Sequence, residues 1–213
     1  MATGYRPRHG GVTGSLCSLE YATLLKMRKS TSEMTMAIIS FSRSFIFVKT
    51  TKTAGTSTEV HLARYCGPND IVTQIFPEVR GHRPRNYEDA EGKAQFFNHQ
   101  SLADMTSRLD PEFVASAFKF CFERHPVDKC ISHYSMYKNS VHHAQLKTFD
   151  DWDDYVAQAQ FPVDHSRYMD AAGNLLVDKV YPYEQLQESL DDIARPCGFP
   201  PRVPYGKGKI RLA

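Results

Sequence analysis

The chain has one tryptophan in 213 residues, no Cys-x-x-Cys pair, no long uninterrupted apolar run and almost no net charge. Each absence closes off a class of function. The five cysteines, Cys17, Cys66, Cys121, Cys130 and Cys197, are odd in number and scattered. They argue against a disulfide framework or a zinc knuckle and fit a reducing compartment. The longest apolar stretch, Met36 to Val48, is broken by Ser40, Ser42, Arg43 and Ser44, so it cannot span a bilayer as a helix. A net charge of +2 supplies no global field for nucleic acid or membrane. Met1 to Gly14 is rich in Gly, Arg and Thr and lacks the apolar core of a signal peptide. A soluble, cytoplasmic protein is expected, without nucleic-acid or membrane partners, whose function rests on local charge.

What is present is ordinary for a globular domain: 41% hydrophobic and 23% charged residues. The length suits one α/β domain, and we expect a loose tail over residues 1–33 and a single domain over 34–213. Met36 to Phe41 and Ser44 to Lys49 read as two short strands or a hairpin. Thr56 to Cys66 reads as a helix with Thr56 or Ser57 as its cap and Glu59 in its first turn. Ile71 to Ile75 reads as a short strand, and the polar stretch from Phe76 to Gly92 as a loop. Ser101 caps a helix to about Leu109, and Pro111 opens another. Phe118 to Phe122 alternates aromatics and reads as a buried strand, and Pro126 opens a helix. Asp150 to Ala159 reads as a helix around Trp152, and Trp152 with Tyr155 reads as core rather than as a sugar platform. Leu175 to Tyr181 reads as a strand. Tyr183 to Ala194 carries Leu186, Leu190, Ile193 and Ala194 on one face, the pattern of an amphipathic helix. Strands alternating with helices imply an α/β fold, a three-layer α/β/α arrangement with a mostly parallel central sheet.

In such a sheet, ligands gather at the C-terminal ends of the strands, and three informative patches fall there. The first is Phe45-Ile46-Phe47-Val48-Lys49-Thr50-Thr51-Lys52-Thr53-Ala54-Gly55-Thr56-Ser57-Thr58-Glu59. An apolar strand runs through a short hydroxyl-rich loop into a helix start, whose N–H groups and dipole favour an anion. Lys52 adds a full positive charge, and Gly55 permits close backbone approach. The Lys comes too early for the P-loop pattern GxxxxGK[ST], so no magnesium is implied. A plain turn with an exposed lysine is the alternative. The second patch is Arg124, a planar fork suited to phosphate, with Ser132 eight residues on; pairing of Arg124 with Glu123 or Asp128 is the alternative. The third is His99, a natural general base near neutral pH, although with nine histidines in the chain one alone means little. His142-His143 lacks partners at metal spacing, so no metal is expected. Arg80, Arg83 and Arg85 in the polar loop are candidate contacts to an anionic acceptor, or solvated charges.

These patches, in this order, resemble the carbohydrate-type sulfotransferases, the group that includes heparan sulfate 2-O-sulfotransferase and many soluble bacterial relatives. The likeness runs from about Met36 to Ile210. Phe45 to Val48 followed by Lys52-Thr-Ala-Gly-Thr-Ser57 resembles that family's loop for the 5′-phosphosulfate of PAPS, 3′-phosphoadenosine 5′-phosphosulfate. Phe122 to Tyr134 resembles its 3′-phosphate element, and Phe97-Asn-His99 the segment carrying its catalytic histidine. Val177 to Leu186 resembles the strand and helix near its C-terminal end. The resemblance implies a P-loop-like sulfotransferase fold and transfer of a sulfuryl group from PAPS to a hydroxyl or amine of a sugar or small molecule, leaving PAP. It implies Lys52 and His99 as catalytic residues. It also implies a nucleotide site of Lys52, Thr53, Ala54, Gly55, Thr56, Ser57, Arg124 and Ser132, joined by Lys207 and Lys209. The alternatives are an ATP-dependent small-molecule kinase and an inactive nucleotide-binding relative.

Overall fold

The computed structural model describes residues 37–97, 99–140, 143 and 148–200, all within the compact unit Met34–Ala213. The expected tail over 1–33 and the candidate ligands Lys207 and Lys209 lie outside the described residues. The fold is mixed α/β. Five strands, β1 (Ile38–Ser40), β2 (Phe45–Val48), β3 (Ile71–Val72), β4 (Phe118–Glu123) and β5 (Lys179–Pro182), form one open sheet in the order β3-β1-β2-β4-β5. The described helices are α1 (Gly55–Leu62), α2 (Leu102–Thr106), α3 (Pro111–Ser116), α4 (Pro126–Asn139), α5 (Trp152–Ala157), α6 (His165–Tyr168) and α7 (Leu186–Ala194). None of them is long and apolar enough to cross a membrane.

The sheet is evenly mixed rather than mostly parallel. β2–β4 and β4–β5 are parallel, whereas β1 pairs antiparallel with both β2 and β3. The reason is local: the turn over 41–44, with Ser44 at φ 50°, folds β1 back on β2 as a hairpin. The Asp70 carboxylate fastens that turn, accepting from Ser40 Oγ at 2.7 Å, Ser42 Oγ at 2.6 Å and the Gly67 N–H at 2.7 Å.

Strand periodicity sorts the apolar side chains to two faces. Phe45, Phe47, Phe120 and Phe122 point to one side, where Leu62 of α1 and Leu190, Ile193 and Ala194 of α7 cover them. Ile46, Val48 and Cys121 point to the other, under Leu102 and Met105 of α2 and Tyr168 of α6. Helices therefore lie on both faces, and buried strands of this kind read as continuous apolar runs. The caps follow the sequence. Ser101 Oγ accepts from the Asp104 N–H at 3.1 Å, and Asp110 caps α3 ahead of Pro111. Trp152 and Tyr155 belong to an aromatic cluster with Tyr134 and Phe149, in which Tyr155 is fully buried.

Because β2, β4 and β5 run the same way, their C-terminal ends share one edge of the sheet. Val48 lies beside Cys121, and Glu123 beside Pro182. The segment after Val48, the residue after Glu123 and the residue after Pro182 therefore meet there.

Candidate functional site

The loop Lys49 to Ala54 leaves β2 at that edge and enters α1. It is tightly shaped: Lys52 and Ala54 adopt left-handed backbone, at φ 62° and 55°. His99, which packs against this loop, is also left-handed at φ 55°. Left-handed non-glycine residues are uncommon, and such strain gathers at functional sites. The helix starts one residue earlier than expected, at Gly55, with Ala54 as its cap residue and no side chain capping it. The N–H groups of Gly55, Thr56 and Ser57 thus open α1 beside Lys52, as an anion site requires. Thr53 is buried, and its hydroxyl bonds within the loop, to Thr50 Oγ1 at 2.9 Å and to the Thr50 carbonyl at 3.1 Å. Its part is to shape the turn.

The early start moves Glu59 out of the first turn and into the core. There it lies 3.8 Å from Lys49 Nζ, and both side chains are almost wholly buried. Lys49 also donates to Thr56 Oγ1 at 3.1 Å, and Thr73 Oγ1 donates to Glu59 at 3.1 Å. Burial lowers the Lys49 pKa and raises that of Glu59, with the pair's mutual attraction opposing both shifts. Gly55 serves this pair. A Cβ there would lie 2.5, 2.6 and 2.9 Å from carbons of the Lys49 side chain. The glycine makes room for a lysine beneath the helix start, where the sequence suggested room for a ligand. Gly55→Ala should therefore displace Lys49 and cost about 1–3 kcal/mol, measured by urea unfolding. A cost near zero would show that Lys49 is not held as described.

Arg124 stands just beyond β4. Its Nη1 lies 3.5 Å from the Lys52 carbonyl oxygen, and its guanidinium lies over the Tyr183 ring, 4.6 Å from the centroid. Arg124 Nε is buried without a hydrogen-bond partner among the described residues. Burial and the Arg124 charge both lower the pKa of Lys52. The Arg124 charge disfavours the charged form of Lys52, and a bound anion would offset that repulsion. Ser132 follows on α4, half-buried. The α4 start is braced by Glu184, which accepts from the His125 N–H at 2.9 Å.

His99 Nδ1 lies 3.2 Å from the Lys49 carbonyl oxygen. A carbonyl only accepts, so Nδ1 carries the proton and Nε2 is left as a bare nitrogen. Burial, then the Arg167 and Lys49 charges, push the His99 pKa down to about 4. The ring is neutral at physiological pH, the protonation state a general base needs.

Other candidates separate. Arg80 and Arg83 are exposed. Arg85 turns inward and donates to the carbonyls of Gly67, Arg83 and Cys66, each at 3.0 Å. It clamps the loop to the chain beyond α1. His133 is buried against the Tyr155 hydroxyl at 3.1 Å.

Several residues in the site have no assigned role in the sequence reading: Lys49, Glu59, Asp164, Arg167, Lys129 and Tyr183. Lys49 and Glu59 did carry a signal. A lysine ending a wholly apolar strand, with a glutamate one helix turn past a glycine, suggests a buried pair. Asp164 carried none. It accepts from the Thr51 N–H at 2.7 Å, Thr51 Oγ1 at 3.0 Å, Lys129 Nζ at 2.7 Å and Arg167 Nε. Burial raises its pKa, but Lys129, the Thr51 N–H and Arg167 outweigh it and hold the carboxyl at about 2. No family model, curated protein or solved structure matches the chain.

Proposed function

We propose that this protein is a PAPS-dependent sulfotransferase, with a P-loop-like sulfotransferase fold, acting on a hydroxyl or amine of a carbohydrate or small molecule. The observation that carries the reading is the meeting of Lys52, Arg124 and an uncapped helix start at one sheet edge, with His99 held against the same loop through its Nδ1. Two cations and a row of N–H groups suit a donor bearing two separate anionic groups. A neutral imidazole suits an acceptor that must lose a proton.

In the proposed reaction the acceptor oxygen forms a bond to sulfur as the bond from sulfur to the bridging oxygen breaks, in line. His99 Nε2 takes the acceptor's proton. Lys52 neutralises the charge that grows on the departing bridging oxygen. The N–H groups of Gly55 to Ser57 hold the sulfuryl and 5′-phosphate oxygens. Arg124, with Ser132, takes the 3′-phosphate. Catalysis of this kind is mainly positioning and electrostatic stabilisation. Tyr183 keeps the Arg124 fork oriented by stacking on it.

Calorimetry tests the reading. PAP should bind without magnesium and more tightly than AMP, which lacks the 3′-phosphate. Arg124→Ala should weaken PAP by about 10- to 100-fold, the value of a charge-assisted hydrogen bond, and leave AMP nearly unchanged. Binding of ATP with magnesium but not of PAP would overturn the proposal in favour of a kinase.

A further inference from the structure

Asp164 and Arg167 join two parts of the site that are far apart in sequence. The Asp164 carboxylate, almost fully buried, is tied to the lysine loop through both the N–H and the hydroxyl of Thr51, across 113 residues. It is tied to Arg167 through Nε. Arg167 then donates from Nη1 to the carbonyl oxygen of His99. His99 closes the circuit, because its Nδ1 bonds the carbonyl of Lys49 at the start of the same loop. Loop, carboxylate, guanidinium and histidine thus form one closed chain of hydrogen bonds. The left-handed backbone of His99 needs outside support, and the Arg167 bond falls on the carbonyl of that same residue.

We infer that Asp164 and Arg167 are positioning residues: they hold His99 over the lysine loop with Nδ1 turned to the Lys49 carbonyl and Nε2 bare. The inference rests on the reading of His99 as the base. The charged groups facing the ring are Arg167 and Lys49, which disfavour the imidazolium, and Asp164, which favours it; the carbonyl of Lys49 favours it as well. Arg167 therefore acts in two ways. Its bond fixes where the ring sits, and its charge adds to burial in lowering the pKa of the ring.

The test needs no assay of turnover. Imidazole ¹⁵N and ¹³C resonances of His99 report both its tautomer and its titration, in the full chain of wild type, Arg167→Gln and Arg167→Lys. Near-UV circular dichroism checks that each variant is folded. In wild type, Nε2 should resonate as a bare nitrogen throughout the neutral range. In Arg167→Gln the titration should move up by about one pH unit or more, and the two tautomers should mix. Arg167→Lys keeps the charge and should keep the low titration. Equal upward movement in both variants would mean that Arg167 is only structural, and no movement in Arg167→Gln would mean that it does not govern His99. Either result overturns the inference. Failure of the protein to bind PAP would remove the proposed activity and leave the His99 measurement to decide this point by itself. If PAP does bind, Arg167→Gln should lower kcat by at least about tenfold with little change in PAP affinity.

Discussion

His99→Ala should lower turnover by about two to four orders of magnitude, the usual contribution of a positioned general base, and leave PAP affinity nearly intact. The split follows from the geometry. Lys52, the α1 start and Arg124 are not removed, whereas the imidazole bonded to the Lys49 carbonyl is. The pH dependence has a defined sign. The base works as neutral imidazole, and the folded pKa lies at about 4, below the ordinary 6.5. The kcat/KM of wild type should stay level through the neutral range and fall as pH drops toward 4. Stability follows the same window. The neutral ring is the form that folding favours, so its contribution is complete above pH 6.5 and is lost as pH falls toward 4. Normal turnover of His99→Ala, measured with a sugar acceptor panel as release of PAP, would refute the base assignment.

Asp164→Ala should cost about 3–5 kcal/mol of stability, because it leaves buried positive charge without its partner. Lys129 and Asp164 are 6% and 1% exposed at their side chains. Lys129 keeps only Glu123, at 2.7 Å, and Arg167 loses its carboxylate. Urea unfolding measures the effect, and a cost below about 1 kcal/mol would show that the network relaxes freely. The pH window again follows from the shift. The folded Asp164 titrates at about 2 against an ordinary 3.8. Its stabilisation is therefore complete above 3.8 and is lost as pH falls through about 2. Asp164→Asn keeps the size and one acceptor oxygen, and should fall between wild type and alanine.

The strands that carry the site were legible because they are buried on both faces. Phe45–Val48 and Phe118–Glu123 read as apolar runs and form β2 and β4. Boundaries suffered where tertiary bonds decide them. β5 begins at Lys179 instead of Leu175, since pairing with Phe120 starts there. Likewise α7 is preceded by a 3-10 turn over Tyr183–Gln185. The direction of β1 was not legible as such, because a mostly parallel sheet was inferred from alternation of elements while the hairpin reading of the same residues pointed the other way. Within the site, Lys52, His99 and Arg124 could be named because each follows a strand or precedes a helix. Asp164 and Arg167 could not. Their bonds span 113 and 68 residues, and α6 is a single turn with no pattern of its own.

The 113 residues between Thr51 and Asp164 also impose an order in time. At about 5–20 residues per second, the ribosome delivers Asp164 on the order of ten seconds after the lysine loop. The hairpin and the loop emerge early, while the carboxylate that fastens Thr51 and the arginine that fixes His99 are still to be made. The strand can form at once, but the loop is fastened only after α6 arrives, and Tyr183, which stacks on Arg124, comes later still. A nascent chain halted before residue 164 would therefore carry the loop without its clasp.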